Sequence, residues 1–178
     1  MSFSIDGKTV IVTGAANGIG AALARHFAEN GANVMCADID EKALKKDLGE
    51  SADDSNVGYF AGDLREKLTL ANLLSATVDA FDRVDVLVNA SRQMATTDPL
   101  DMDDETVEKL LQQNLMTSLR LSQMVAKRMI KQDEEQDHEF AGTIINLSSI
   151  AARLTQPELL AYSVSTAALE QMTRSMAV

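Results

Sequence analysis

Residues 10–20 read Val10-Ile11-Val12-Thr13-Gly14-Ala15-Ala16-Asn17-Gly18-Ile19-Gly20, and this order decides the fold. A β-branched run too short for a helix enters a turn with three glycines, and an amphipathic stretch starts inside that turn. The pattern is strand, Gly-rich turn, helix. Gly14 permits the tight bend, Gly18 lets backbone approach a bulky ligand, and Gly20 lets helix and strand pack closely. Free N–H groups at the helix start, reinforced by the helix dipole, favour a diphosphate. A Gly-rich turn with no ligand fits the same letters, so the remainder of the chain has to decide.

The chain has 178 residues, enough for one domain with a full core. Its formal net charge of −11 argues against nucleic acid and against an anionic membrane surface. A soluble, self-repelling acidic surface accounts for that charge. One cysteine excludes an internal disulfide framework and any multi-cysteine metal site. Cys36 lies in an apolar run and reads as a buried, inert thiol. The start shows no basic region followed by an apolar one, and no apolar stretch approaches ~18 residues. These features point to the cytosol.

After the turn, Ile19, Leu23 and Phe27 fall on one helical face, and Asn30-Gly31 supplies a stop. A second strand over residues 33–37 ends in Asp38. An acidic residue about twenty positions past the Gly-rich turn can accept both ribose hydroxyls and repel a 2′-phosphate. Asp38 also fits as a cap for a helix starting near residue 40. A third strand is predicted over residues 57–61, followed by Gly62-Asp63-Leu64. Leu70, Leu74, Val78 and Phe81 then mark a helix face, and residues 84–88 form a nearly apolar fourth strand, as a covered parallel strand requires. This alternation predicts βαβ units, and so an α/β fold with a doubly wound parallel sheet of the three-layer Rossmann type.

Residues 103–131 predict one long helix, with Val107, Leu111, Asn114, Ser118, Leu121 and Val125 on its buried stripe. Asn114 must find partners there, either a neighbouring backbone or a functional one. The acidic stretch 132–139 reads as a solvated loop, and its His138 lacks neighbouring metal ligands; no metal site is expected. A fifth strand over residues 143–147 leads to Ser148-Ser149. A last helix starts near Pro157, with Tyr162, Thr166, Leu169, Thr173 and Met176 on one face. No linker or repeat interrupts the chain, so residues 1–178 read as a single dinucleotide-binding domain. No stop signal precedes Val178.

With these motifs in order, the sequence resembles the short-chain dehydrogenase/reductase family, closest in style to its 3-oxoacyl-thioester reductases and related alcohol dehydrogenases. The family's T-G-x-x-x-G-I-G pattern matches residues 13–20 in full. The resemblance implies NAD as cofactor, bound through Gly14, Asn17, Gly18, Ile19, Gly20, Asp38, Asp63, Leu64, Asn89 and Ala90. It implies Asn114, Ser149 and Tyr162 as catalytic residues, with Tyr162 thirteen positions after Ser149. It further implies a small-molecule carbonyl or alcohol substrate and a homo-oligomer, a tetramer or a dimer, built on helices matching residues 103–131 and 157–178. The match covers the whole chain, answering to about the first two-thirds of a typical member; the later strands and the substrate-covering segment would follow Val178.

Two departures stand out. The family reads Y-x-x-x-K, whereas Tyr162-Ser163-Val164-Ser165 is followed by Thr166. The family reads N-N-A-G after the fourth strand, whereas this chain has Asn89-Ala90-Ser91-Arg92. By resemblance Tyr162 is the proton donor, Ser149 polarises the carbonyl, and Thr166 occupies the lysine position with a hydroxyl but no charge. Alcohol oxidation, which needs the phenolate, should suffer most; reduction keeps its proton donor. Two functions compete at this stage: an oxidoreductase with weakened catalysis, and a non-catalytic relative that keeps the nucleotide site for binding or assembly.

Overall fold

The computed structural model describes residues 4–48, 56–136, 141–154 and 156–177. Its elements follow as β1 (Thr9–Thr13), α1 (Gly18–Glu29), β2 (Asn33–Asp38), α2 (Glu41–Leu48), β3 (Val57–Ala61) and α3 (Lys67–Phe81). β4 (Val86–Asn89), α4 (Thr106–Leu110), a π-helical segment (Leu111–Met116), α5 (Thr117–Gln136) and β5 (Thr143–Asn146) come next. Short 3-10 turns at Ile150–Ala152 and Pro157–Leu159 precede α6 (Leu160–Met176).

The five strands stand in the order β3-β2-β1-β4-β5. β1 pairs in parallel with β2 and β4, aligning Ile11 with both Met35 and Leu87. The sheet grows outward in both directions from β1, with helical crossovers between its strands; this is the doubly wound architecture. β1 and β4 are buried along their whole length, which explains their unbroken apolar lettering. Val10, Ile11, Val12, Val34, Leu87 and Val88 anchor the core at essentially zero exposure.

By contact density the chain forms two compact units, Met1–Ser91 with Ser122–Ile145, and Arg92–Leu121 with Asn146–Val178. The first carries the sheet. The second is built on α4, the π-helical segment and α6, and holds a small core of Leu110, Ala161 and Tyr162 against Ala95, Val107 and Ala151.

Several expectations need correction. The fourth strand begins at Val86 rather than Val84 because both backbone groups of Val84 are taken by the Gln132 side chain, at 3.0 and 2.9 Å. Gln132 is buried and lies on α5, so residues 132–136 are helical where a loop was expected. A buried amide saturating a strand's backbone reads as polar, hence as loop, in the sequence. His138 lies outside the described residues. The predicted long helix starts at Thr106 and is interrupted by the π-helical segment, where the Thr117 hydroxyl donates to the Gln112 carbonyl at 3.0 Å. One wide turn leaves the apolar spacing nearly intact, so periodicity misses it. On α1 the buried positions are Gly20 and Ala24, and Ile19 is 52% exposed rather than part of a core face. On α3 they are Leu70, Leu73 and Thr77, a stripe slightly rotated from the predicted one. Met176 is exposed on α6.

Candidate functional site

The first unit carries the Gly-rich turn. Gly14 has φ +69°, and a Cβ there would lie 2.8 Å from the Ser91 backbone. A Cβ on Gly20 would collide with the Gly14 carbonyl oxygen. Both glycines are thus required by close packing. Gly18, with φ +55°, faces open space, with nothing within 4 Å of a Cβ built on it. Two of the turn's glycines are consumed by the fold; the third keeps a cradle clear.

The turn is fixed from both sides. The Thr13 hydroxyl oxygen accepts from Ala90 N and Ser91 N, each at 3.1 Å, which ties the turn to the end of β4. Ala15 N donates to the Ala37 carbonyl, and Ala16 N donates to Asp38 Oδ2 at 3.1 Å, tying it to β2. Asn17 occupies the N-cap of α1 without a side-chain capping bond, and the first turn holds no acidic residue. The positive end of α1 is therefore not offset by its own side chains. Open space, a dipole and a fixed acidic strand end fit a dinucleotide: its diphosphate against Gly18 and Ile19, its adenosine ribose against Asp38.

The cap alternative for Asp38 passes to its neighbour. Asp40 Oδ1 accepts from Ala43 N at 3.0 Å, so Asp40 caps α2, while Asp38 Oδ1 accepts from Asp40 N. Asp63 is gripped by the Arg65 guanidinium through Nε and Nη2, which holds its carboxyl below the usual carboxylate range. That arginine was missed in the sequence, although its position two residues after Asp63 was a visible signal. Leu64 is buried. Asn89 is buried and donates from Nδ2 to the Ser122 hydroxyl at 3.0 Å, while Ala90 is half-buried.

Asn114, Ser149, Tyr162 and Thr166 all belong to the second unit. Asn114 sits in the π-helical segment. Its Oδ1 accepts from Gln93 N at 2.8 Å, and its Nδ2 donates to the Gln93 carbonyl at 2.9 Å and to Ser165 Oγ at 3.1 Å. Ser165 Oγ in turn donates to the Tyr162 carbonyl at 2.9 Å. The side chain of Asn114 is thus a brace between the segment after β4 and the first turn of α6. The amide is taken up by the Gln93 backbone, which is not part of a strand, and by the Ser165 hydroxyl.

Tyr162 is only 4% exposed, packed between Leu110 and Ala161. Ser149 Oγ accepts from Ala151 N at 3.2 Å, capping the 3-10 turn and leaving its own proton to donate. Thr166 is buried, and its hydroxyl points back along its own helix to the Tyr162 carbonyl at 2.8 Å and the Ser163 carbonyl at 3.2 Å. Its single proton is occupied there, so the expectation that it offers a hydroxyl at the lysine position is not met by this rotamer. Arg92 donates from Nη1 to the Ser148 carbonyl at 3.2 Å, one residue before Ser149.

Glu170, which the sequence reading overlooked, accepts from the Ser148 hydroxyl at 3.0 Å and pairs with Arg153 at 3.3 Å. The Ser148 bond, more than Arg153, holds its carboxyl low against the opposing effect of desolvation. Its position one helical turn past Thr166 was the available signal. Cys36 is buried in β2, and burial pushes its thiol up to about 12. Among the described residues no cluster of His, Cys, Asp and Glu could hold a metal ion, and no helix is long and apolar enough to cross a membrane.

Comparison with known proteins agrees with the fold. The family model of the short chain dehydrogenases matches residues 8–178, and the chain belongs to that family. An uncharacterized oxidoreductase of Thermotoga maritima is 33% identical over 98% of this chain and 66% of its own length. An NAD-dependent glycerol dehydrogenase of Listeria innocua is 29% identical over 99% of the chain and 66% of its own length. Among solved structures, a 7 alpha-hydroxysteroid dehydrogenase complexed with NADH and 7-oxo glycochenodeoxycholic acid superposes with a TM-score of 0.88, at 29% identity, over 98% of this chain and 66% of that one. The chain therefore spans just under two thirds of the length of these relatives.

Proposed function

We propose that the chain is an NAD(H)-dependent oxidoreductase that interconverts a carbonyl and an alcohol with weakened catalysis, a 3-oxoacyl-type compound being one substrate class. Residues 1–178 then belong to a single dinucleotide-binding domain, in a cytoplasmic homo-oligomer. The observation that carries the reading is the open cradle at Gly18 beside the uncapped start of α1, with the Asp38 carboxylate tied to the same turn. NAD(H), when bound, supplies or takes up the hydride. Gly18, with Gly14 and Gly20 fixing the turn around it, would hold its diphosphate, Asp38 would hold its adenosine, and Asn17, Ile19, Asp63, Leu64, Asn89 and Ala90 would complete the cradle. Tyr162 then holds the proton that a reduced carbonyl oxygen takes up, and Ser149, with a free hydroxyl proton, donates a hydrogen bond to that oxygen. Asn114 keeps the first turn of α6 in place through Ser165.

Catalysis is weakened because Thr166 brings no charge and directs its hydroxyl to backbone. That observation also favours a second reading, in which the chain binds the nucleotide without turnover and serves as a binding or assembly subunit. A titration with NADH and NADPH, followed by NADH oxidation with a panel of ketones, separates the two. The oxidoreductase reading expects slow turnover and at least about tenfold tighter NADH, since a tenfold preference needs only ~1.4 kcal/mol of repulsion from Asp38. Binding without turnover selects the subunit reading. Equal affinity for both nucleotides removes Asp38 from the selector role.

A further inference from the structure

The Asp63 carboxylate, just past the end of β3, is held by a single neighbour. Its Oδ1 accepts from Arg65 N at 3.0 Å and from Arg65 Nε at 2.9 Å; its Oδ2 accepts from Nε at 3.0 Å and from Nη2. A carboxylate offers about four acceptor sites, of which the guanidinium fork fills two and the backbone N–H a third. One site is left for one donor. The Asp63 side chain is 31% exposed, so the fold does not close the carboxylate off. The same contacts, the side-chain bonds first among them, hold the carboxyl below its usual range, so it remains an acceptor.

The sheet puts this carboxylate beside the proposed ribose contact. Ala61 of β3 is in register with Asp38 of β2, and Gly62 N donates to the Asp38 carbonyl at 2.9 Å. Neighbouring strands lie about 4.8 Å apart, so a base whose ribose meets Asp38 comes within reach of the next strand end. Ile39, which follows Asp38, is 66% exposed and offers apolar surface to a planar base. From this we infer that Arg65 is a positioning residue for the nucleotide base: it fixes the Asp63 carboxylate with one acceptor site open, and so selects a 6-amino purine over a 6-oxo purine. The inference rests on the placement of Asp63 in the nucleotide cradle and goes beyond it in naming the residue that sets base selection. The exocyclic amine of adenine donates to the open site. The 6-oxygen of hypoxanthine is itself an acceptor and would face the carboxylate with like partial charge.

The test titrates the full chain by calorimetry with NAD and with nicotinamide hypoxanthine dinucleotide, which differ only at the 6-position of the purine. No turnover is needed for the readout. The parent should bind NAD at least about tenfold more tightly, because the analogue replaces a charge-assisted hydrogen bond by two opposed acceptors. Arg65→Ala should remove most of that preference through weaker NAD binding, with the affinity of the analogue unchanged. Arg65→Lys, which keeps a cation beside the carboxylate, should retain part of it. Asp63→Asn carries its own N–H donor and should bring the two dinucleotides to parity or reverse their order. An Arg65→Ala variant that keeps the full preference, or that weakens both dinucleotides alike, would overturn the inference. NAD binding by the parent without base preference sinks this inference alone. Failure of the parent to bind either dinucleotide sinks the nucleotide reading, and this inference with it.

Discussion

Thr166 stands one helical turn after Tyr162, on the same face of α6, where side chains three or four apart become neighbours. Thr166→Lys places an ammonium at the family's position, and we expect turnover to rise on the order of 10²-fold. Alcohol oxidation should gain more than reduction, because only oxidation needs the phenolate. Steady-state rates in both directions check this; an unchanged oxidation rate in a variant that still binds NADH would remove the missing lysine as the cause of weak catalysis. Arg92, the second departure from the family pattern, bonds the Ser148 carbonyl. Arg92→Gly should therefore loosen the Ser149 segment and lower residual turnover. Cys36 allows a second prediction. Its thiol ionises near 9 when unfolded and near 12 in the fold, so rising pH deprotonates the unfolded chain first. This contribution to stability is complete below pH 9 and is lost between pH 9 and 12, by at most about 1.4 kcal/mol per pH unit. Urea melts of the parent and of Cys36→Ala across that window should converge as pH rises; parallel curves would refute it.

At the scale of the element, the turn between β1 and α1 separates folding from binding within three glycines. A methyl group on Gly20 meets the Gly14 carbonyl, so Gly20→Ala should cost roughly 1–3 kcal/mol and lower the melting temperature. A methyl group on Gly18 meets open space, and its cost is confined to the left-handed backbone, about 1–2 kcal/mol. Gly18→Ala should nevertheless lose most NADH affinity, because its Cβ enters the cradle. Thermal melts beside NADH titrations of the two variants test this, and a Gly18→Ala protein with full affinity would show that the cradle is not where the diphosphate lies. The glycine spacing, the strands and α6 were legible beforehand because they follow from steric and periodic rules acting over a few residues. The π-helical segment and the Gln132 brace were not, since each depends on partners far along the chain.

At the scale of the whole molecule, β5 stands last in the sheet order among the described residues, and Ile145 on it is 40% exposed. An apolar edge strand promotes association, whereas a lysine on such an edge discourages it. We expect concentration-dependent self-association in sedimentation velocity runs, reduced in Ile145→Lys with no change in fold by circular dichroism. Association of the variant equal to that of the parent would place the contact elsewhere, with the two long helices implied by the family resemblance next in line.

The alternation of strand and helix and the glycine spacing of the nucleotide turn were determined by the sequence alone, because hydrophobic alternation and glycine sterics act locally. Tertiary structure decided what the side chains do with their hydrogen bonds. It turned the Thr166 hydroxyl onto its own helix, set Asn114 as a brace on Gln93 and Ser165, and brought Arg92 to Ser148 and Arg153 to Glu170. Such pairings join groups tens of residues apart, and a buried donor takes whichever acceptor the packing delivers, which no local pattern encodes.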